Sequence, residues 1–212
     1  MRLLVAALLF AFVLPAAAVP VAVYEETDSF DEDSITTLGW LVDADSGDAV
    51  VADGELHLTT TAGPFVPYVR VHQVGLFGPG GATVEADVDG DSFGVFVVGF
   101  DASEGAISLV ITDDSANLFS TSYGGIIIDS AVGPTSWPAG GITARVELTD
   151  AGATGTITDA GGNVLWTDSV ATLWGPAALE WELFMQAYST FVTDDAAFRV
   201  DEVRFSQFYE WL

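Results

Sequence analysis

Apolar and polar residues alternate with period two through most of the chain after residue 18, and turn residues interrupt the alternation roughly every eight to twelve positions. That pattern predicts β-strands; nowhere after the first segment does an apolar period of 3.6 persist for a helix. Asp53-Gly54 lies between apolar positions 49–51 and the alternating Leu56-His57-Leu58, the signature of a tight hairpin. Val69 and Val71 alternate with Arg70 and His72, and Val84, Ala86 and Val88 alternate with Glu85 and Asp87. Residues 93–100 are apolar at both parities, which predicts a central strand covered on both faces. Further strands are predicted at 106–112, 117–123, 126–129, 144–148, 154–159, 164–167, 179–186 and 198–208. The architecture predicted is all-β, an antiparallel two-sheet sandwich in one domain.

Phe198 and Val200 share one parity, whereas Val203 and Phe205 share the other. One extra residue near Asp201-Glu202 reconciles them, so the last strand is expected to carry a β-bulge there. A bulge can re-aim a polar side chain, which makes Asp201 a candidate for a special role.

The start of the chain reads as an address. Arg2 is followed by an unbroken apolar run from Leu3 to Leu14, then Pro15 and the small residues Ala16-Ala17-Ala18. A secretory signal has this layout, and the run is too short for a comfortable membrane span. The expected division is a cleavable signal peptide at 1–18 and a folded domain at 19–212. After cleavage no stable membrane span is expected, and the product is placed outside the cell or in the periplasm of a bacterium or archaeon.

Composition sharpens this. The chain has 212 residues, no cysteine, five arginines, no lysine and 31 carboxylates, for a formal charge of -26. Loss of Arg2 with the leader takes the charge to -27. So negative a surface excludes nucleic acid as a partner, because phosphate binding needs a cationic patch. Absence of cysteine removes disulfides, thiolate metal sites and cysteine nucleophiles. Self-repulsion of such a surface is screened by salt or divalent cations.

Four segments, in their order and spacing, resemble the concanavalin A-like jelly roll of lectins, laminin-G domains and glucanases. They are Asp28-Ser29-Phe30-Asp31 ahead of Trp40, Gly54-Glu55-Leu56-His57-Leu58, residues 82–88, and residues 198–205 with their internal acid. The resemblance covers about residues 27 to 208 and implies an antiparallel two-sheet jelly roll. It also implies a structural calcium on Asp201 of the closing strand, with Asp28 or Asp31 nearby and backbone carbonyls beside them. Calcium takes six to eight oxygen ligands, which aspartates supply. Asp87, Asp89 and Asp91 open like an EF-hand loop, but Ser92 and Val98 stand where that loop needs glycine and glutamate.

Some relatives are retaining glycosidases with Glu-x-Asp-x-x-Glu or Glu-x-Asp-x-Glu on one strand. The nearest string here is Glu85-Ala86-Asp87-Val88-Asp89, whose three acids share a face, although the last is aspartate and Gly90 follows at once. Catalysis by Glu85, Asp87 and Asp89 therefore stands beside a solvated sheet face as the alternative. Glu180 and Glu182 also share a face. His57 and His72 sit in strand patterns without zinc spacing and read as strand-surface residues. Trp137, Trp166, Trp174, Tyr123 and Tyr188 lie in or beside loops and strand ends; they are candidates for stacking on sugar rings, with packing as the alternative for each. The uncharged stretches 93–100 and 124–128 would permit association through strand edges if either lay at an edge. The function expected is a secreted, non-catalytic module that binds a glycan or cell-surface polymer and is stabilised by calcium. A self-assembling extracellular surface protein and a laminarinase-like glycoside hydrolase are the alternatives.

Overall fold

A computed structural model describes residues 21–31, 35, 39–63, 65–75, 81–90, 94–122, 124–149, 152–172, 181–190 and 195–209. The expected leader at 1–18, Tyr123 and Trp174 lie outside them. In chain order the strands are β1 (Val21–Asp28), β2 (Leu41–Asp45), β3 (Gly47–Ala52), β4 (Glu55–Thr60), β5 (Tyr68–Gly75), β6 (Gly81–Gly90), β7 (Gly94–Ala102) and β8 (Gly105–Ile111). They continue with β9 (Ser115–Ser122), β10 (Ile126–Pro134), β11 (Ile142–Thr149), β12 (Gly152–Asp159), β13 (Val164–Val170), β14 (Trp181–Ser189) and β15 (Ala196–Tyr209). No helix occurs among the described residues.

The strands form two antiparallel sheets. Sheet A has eight strands in the order β13-β12-β11-β6-β15-β4-β3, with β1 also on β15; sheet B has seven in the order β10-β9-β8-β7-β14-β5-β2. The predicted hairpin is the β3–β4 turn, where Asp53 and Gly54 both take positive φ (57° and 80°), as a two-residue turn of this kind requires. Residues 94–100 of β7 are all buried in the middle of sheet B, in line with the doubly covered strand expected there.

Closure depends on β15. Its first residues pair with β4 up to Val200↔Leu56, and its later residues pair with β1 from Val203↔Asp28 onward. Along its other edge it pairs with β6, and there the register jumps from Val200↔Val88 to Glu202↔Asp87. Asp201 is the extra residue of the expected bulge. The jump puts Phe198, Val200, Val203 and Phe205 all in the core, at 1%, 0%, 3% and 6% exposure. The first and last strands of the domain therefore lie side by side.

The sheets pack through alternate residues, such as Leu56, Val84, Ala144 and Ile157 from sheet A and Val71, Phe100, Leu109 and Met185 from sheet B. Phe198 reaches across the layer: its ring centroid is 5.6 Å from that of Phe96 and 5.6 Å from that of Trp137. Gly90 and Gly94 make the notch for it; a Cβ on Gly94 would stand 2.5 Å from the Phe198 ring. Of the two uncharged stretches, β7 is central, whereas β10 is the outer strand of sheet B with Ile126, Ile127 and Val132 exposed.

Candidate functional site

Each sheet presents one face to the core and one outward, and the two outward faces differ in chemistry. On sheet A, β6 turns Glu85, Asp87 and Asp89 outward together, as the alternation predicts. Each meets a partner on a neighbouring strand. Arg204, register partner of Glu85, donates from Nε to Glu85 at 2.8 Å and from Nη2 to Asp87 at 2.9 Å, and its Nη1 pairs with Glu202. Thr143 Oγ1 donates to Asp87, and Arg199 pairs with Asp89. Burial works against the charge of Arg204, but the bond to Glu85 and the charges of Asp87 and Glu85 outweigh it and raise its pKa above the ordinary value. The string is thus a cross-strand ion-pair ladder, with an arginine or a hydroxyl on every acid.

Asp28 of β1 pairs in register with Val203, two residues past Asp201, and the residues proposed for calcium are differently engaged. Asp28 Oδ1 accepts the Phe30 amide at 2.9 Å, and its Oδ2 accepts Trp40 Nε1–H at 2.7 Å. Both its oxygens are occupied inside the protein. Asp31 Oδ2 accepts from Ser29 at 2.7 Å, and its Oδ1 faces Gly54. Asp201 is exposed at the bulge and makes no side-chain bond to a described residue. Among the described residues no group of three or more His, Asp or Glu side chains is arranged for a metal. The fit is therefore partial: Asp31 and Asp201 each have an oxygen with no hydrogen bond, Asp28 already accepts one on each of its oxygens, and backbone carbonyls would have to complete six to eight ligands.

The aromatic candidates separate too. Trp166 is 7% exposed, packed beneath Gly133 and Gly155, and belongs to the core. Trp137 is half-buried against Phe198. Trp166 is thus enclosed, whereas Trp137 keeps part of its surface open. Tyr188 does reach an outward face, that of sheet B; burial raises its pKa above the usual tyrosine value.

Around Tyr188 lies a constellation that alternation alone did not mark. Arg70 of β5 sits with its guanidinium carbon 4.2 Å from the Phe184 ring centroid. Its Nη2 donates to Asp101 at 3.0 Å and to Glu182 at 3.2 Å. His72 Nδ1 lies against the same Glu182 oxygen. Register explains the convergence: Glu182 is directly opposite Asp101, Phe184 lies between His72 and Gly99, and Tyr188 lies between Tyr68 and Val95. Phe184, Val95 and Val97 form a second apolar cluster, apart from the main core, with Val110 and Tyr188 against it. The signal for it was Phe184 itself, an apolar residue at the polar parity of β14, next to Glu182 and Gln186. An aromatic-backed guanidinium, two carboxylates, an imidazole and two phenols can together offer hydrogen bonds and ring faces to a polyhydroxylated ligand.

This two-sheet arrangement is a concanavalin A-like jelly roll. No family model and no curated protein matches the chain. Solved structures do. A laminarinase from Flavobacterium sp. UMI-01 superposes with a TM-score of 0.61 at 13% identity, over 88% of this chain and 100% of that one. Peanut lectin superposes with a TM-score of 0.64 at 11% identity, over 89% and 100%. An immunostimulatory antigen and pseudo β-1,3-glucanase of Mycobacterium tuberculosis gives 0.61 at 14%, over 86% and 98%. At these identities the likeness establishes the fold.

Proposed function

We propose that this chain is an exported carbohydrate-binding module that works without catalysis, and that it meets its glycan on the outward face of sheet B. The observation that carries the proposal is the Arg70–Phe184 stack, with Asp101, Glu182 and His72 around it and Tyr68 and Tyr188 beside it. The jelly-roll fold, common to lectins and glucanases, supports a glycan as the ligand. Two features support a binding role over hydrolysis. The acids of β6 each have an arginine or threonine partner, and Asp101 and Glu182 share one guanidinium nitrogen. Calcium is a separate part of the proposal, with Asp201 and Asp31 as its side-chain ligands.

A glycan array of the full chain with and without calcium, paired with a reducing-sugar release assay, tests the reading. Binding is expected, with no sugar released, and Arg70→Ala or Tyr188→Ala should weaken it about tenfold, the effect of roughly 1.4 kcal/mol. Absence of binding in both conditions overturns the proposal, and sugar release abolished by Glu182→Gln replaces it with a hydrolase. A melting temperature unmoved by chelator removes the calcium.

One observation favours a second reading, self-association. The edge strand β10 exposes Ile126 (66%), Ile127 (58%) and Val132 (64%), although the register shift between Ile127 and Asp129 blunts that edge. Sedimentation showing only monomer removes this reading, and dimers lost on Ile127→Lys support it.

A further inference from the structure

We infer that the outward face of sheet A carries a second ligand site, distinct from the one on sheet B, and that it takes a neutral, hydroxyl-rich ligand the size of a single sugar unit. A cavity of about 340 Å³ opens there, lined by side chains of β1, β15, β6 and β11, among them Thr27, Thr83, Glu85, Arg145, Arg204 and Ser206. That volume falls within the range of small-molecule pockets.

The observation that points to a ligand is Thr83. Its neighbours Ala82 and Val84 face the core, so Thr83 faces outward and lines the cavity. It is nevertheless only 6% exposed, and its Oγ1 is shielded from solvent without a hydrogen-bond partner. Buried hydroxyls in native proteins are almost always paired, and one that lines a cavity without a partner in the chain calls for a partner from outside it, an ordered water or a ligand hydroxyl. Ser206, the register partner of Thr83 on β15, also makes no side-chain bond to a described residue.

The charges choose the class of ligand. Arg204 is bound at all three of its nitrogens by Glu85, Asp87 and Glu202. Arg145 donates to Glu147 at 2.9 Å and lies 3.9 Å from Glu85, which leaves it further N–H donors. Three glutamates, Glu25, Glu26 and Glu85, and two arginines line the cavity, an excess of negative charge that disfavours a sulfate or uronate. A neutral polyol suits the set: Thr83, Ser206 and Thr27 both donate and accept, Arg145 donates and Glu85 accepts. A chain with sites on opposite outer faces can bridge two polymer strands, with avidity beyond either site alone.

Amide-resolved NMR titration of the full chain with D-glucose, D-galactose and D-mannose, each to high millimolar concentration, tests the inference. At least one sugar should shift the Thr83 and Ser206 amides saturably. Thr83→Val, which keeps the shape and removes the hydroxyl, should weaken that response about tenfold and raise the melting temperature of the free protein. Arg70→Ala should leave the response intact, so failure of the sheet B site and failure of this one are distinguishable. The inference is overturned by no saturable shift with any sugar, by an unchanged response in Thr83→Val, by a Thr83→Val protein that melts lower, or by loss of the response in Arg70→Ala.

Discussion

Asp28 provides a sharp test of how the start of the domain is held, because a metal ligand and an internal hydrogen-bond acceptor respond differently to the same substitution. Trp40 is 2% exposed and Phe30 1%, and Asp28 satisfies the indole N–H of the first and the amide of the second. Asp28→Ala removes a hydrogen bond to a charged group, worth about 1.5–3 kcal/mol, and leaves a buried Nε1–H without a partner. The expected loss is about 3 kcal/mol, or about 6–12 °C in melting temperature for a domain of this size. Calorimetry in chelator and in calcium should give the same loss in both. A double-mutant cycle with Trp40→Phe should recover about 1.5 kcal/mol or more as coupling energy, because the second substitution removes the donor. A loss under about 1 kcal/mol, or one seen only with calcium present, would refute the reasoning and return Asp28 to the metal.

Gly94→Ala places a methyl 2.5 Å from the Phe198 ring and 2.8 Å from the Ala196 Cβ, so a loss of about 1–3 kcal/mol is expected, with partial rescue by Phe198→Leu; an unchanged melt would show that the notch is slack. The raised pKa of Tyr188 means that the folded state holds the phenol proton to higher pH than the unfolded chain does. Its stabilising contribution is therefore complete below about pH 10 and falls as pH rises above that, and Tyr188→Phe should flatten the alkaline limb of a stability–pH curve. Arg204→Met should destabilise by about 1 kcal/mol at low salt and by less at molar salt, because it leaves Glu85, Asp87 and Glu202 facing one another in a partly exposed, screenable setting; equal losses in both buffers would contradict this.

Much of the fold was legible because period-two alternation is a direct consequence of burying one face of a strand. The four segments that resembled a concanavalin A-like domain turn out to be neighbours: β15 lies between β6 on one edge and β4 with β1 on the other. Their order in the sequence carried the signal because the fold brings them together. The site was less legible. Proximity to a loop suggested Trp166, but a large ring at a strand end also seals the end of a sandwich, and glycines at 133 and 155 admit it to the core. Arg70 and Asp101 were invisible as a pair because pairing across β5, β14 and β7 depends on register over separations of 31 and 112 residues, which alternation does not encode.

The bulge at Asp201 connects fold, charge and site. Without it, Val203 and Phe205 would turn outward and Glu202 and Arg204 would turn into the core, since a one-residue slip exchanges the two faces of a strand. With it, Glu202 comes opposite Asp87, a like-charge pair that is unfavourable by itself. Arg204, two residues on, then falls opposite Glu85 and bonds Asp87 and Glu202 as well, so one guanidinium neutralises the repulsion that the bulge creates. In a chain with five arginines and 31 carboxylates, that placement joins the closing strand of the core to the ladder outside it. The same shift carries Ser206 to the side of Thr83, so the cavity proposed as a second site is a product of the bulge that closes the sandwich.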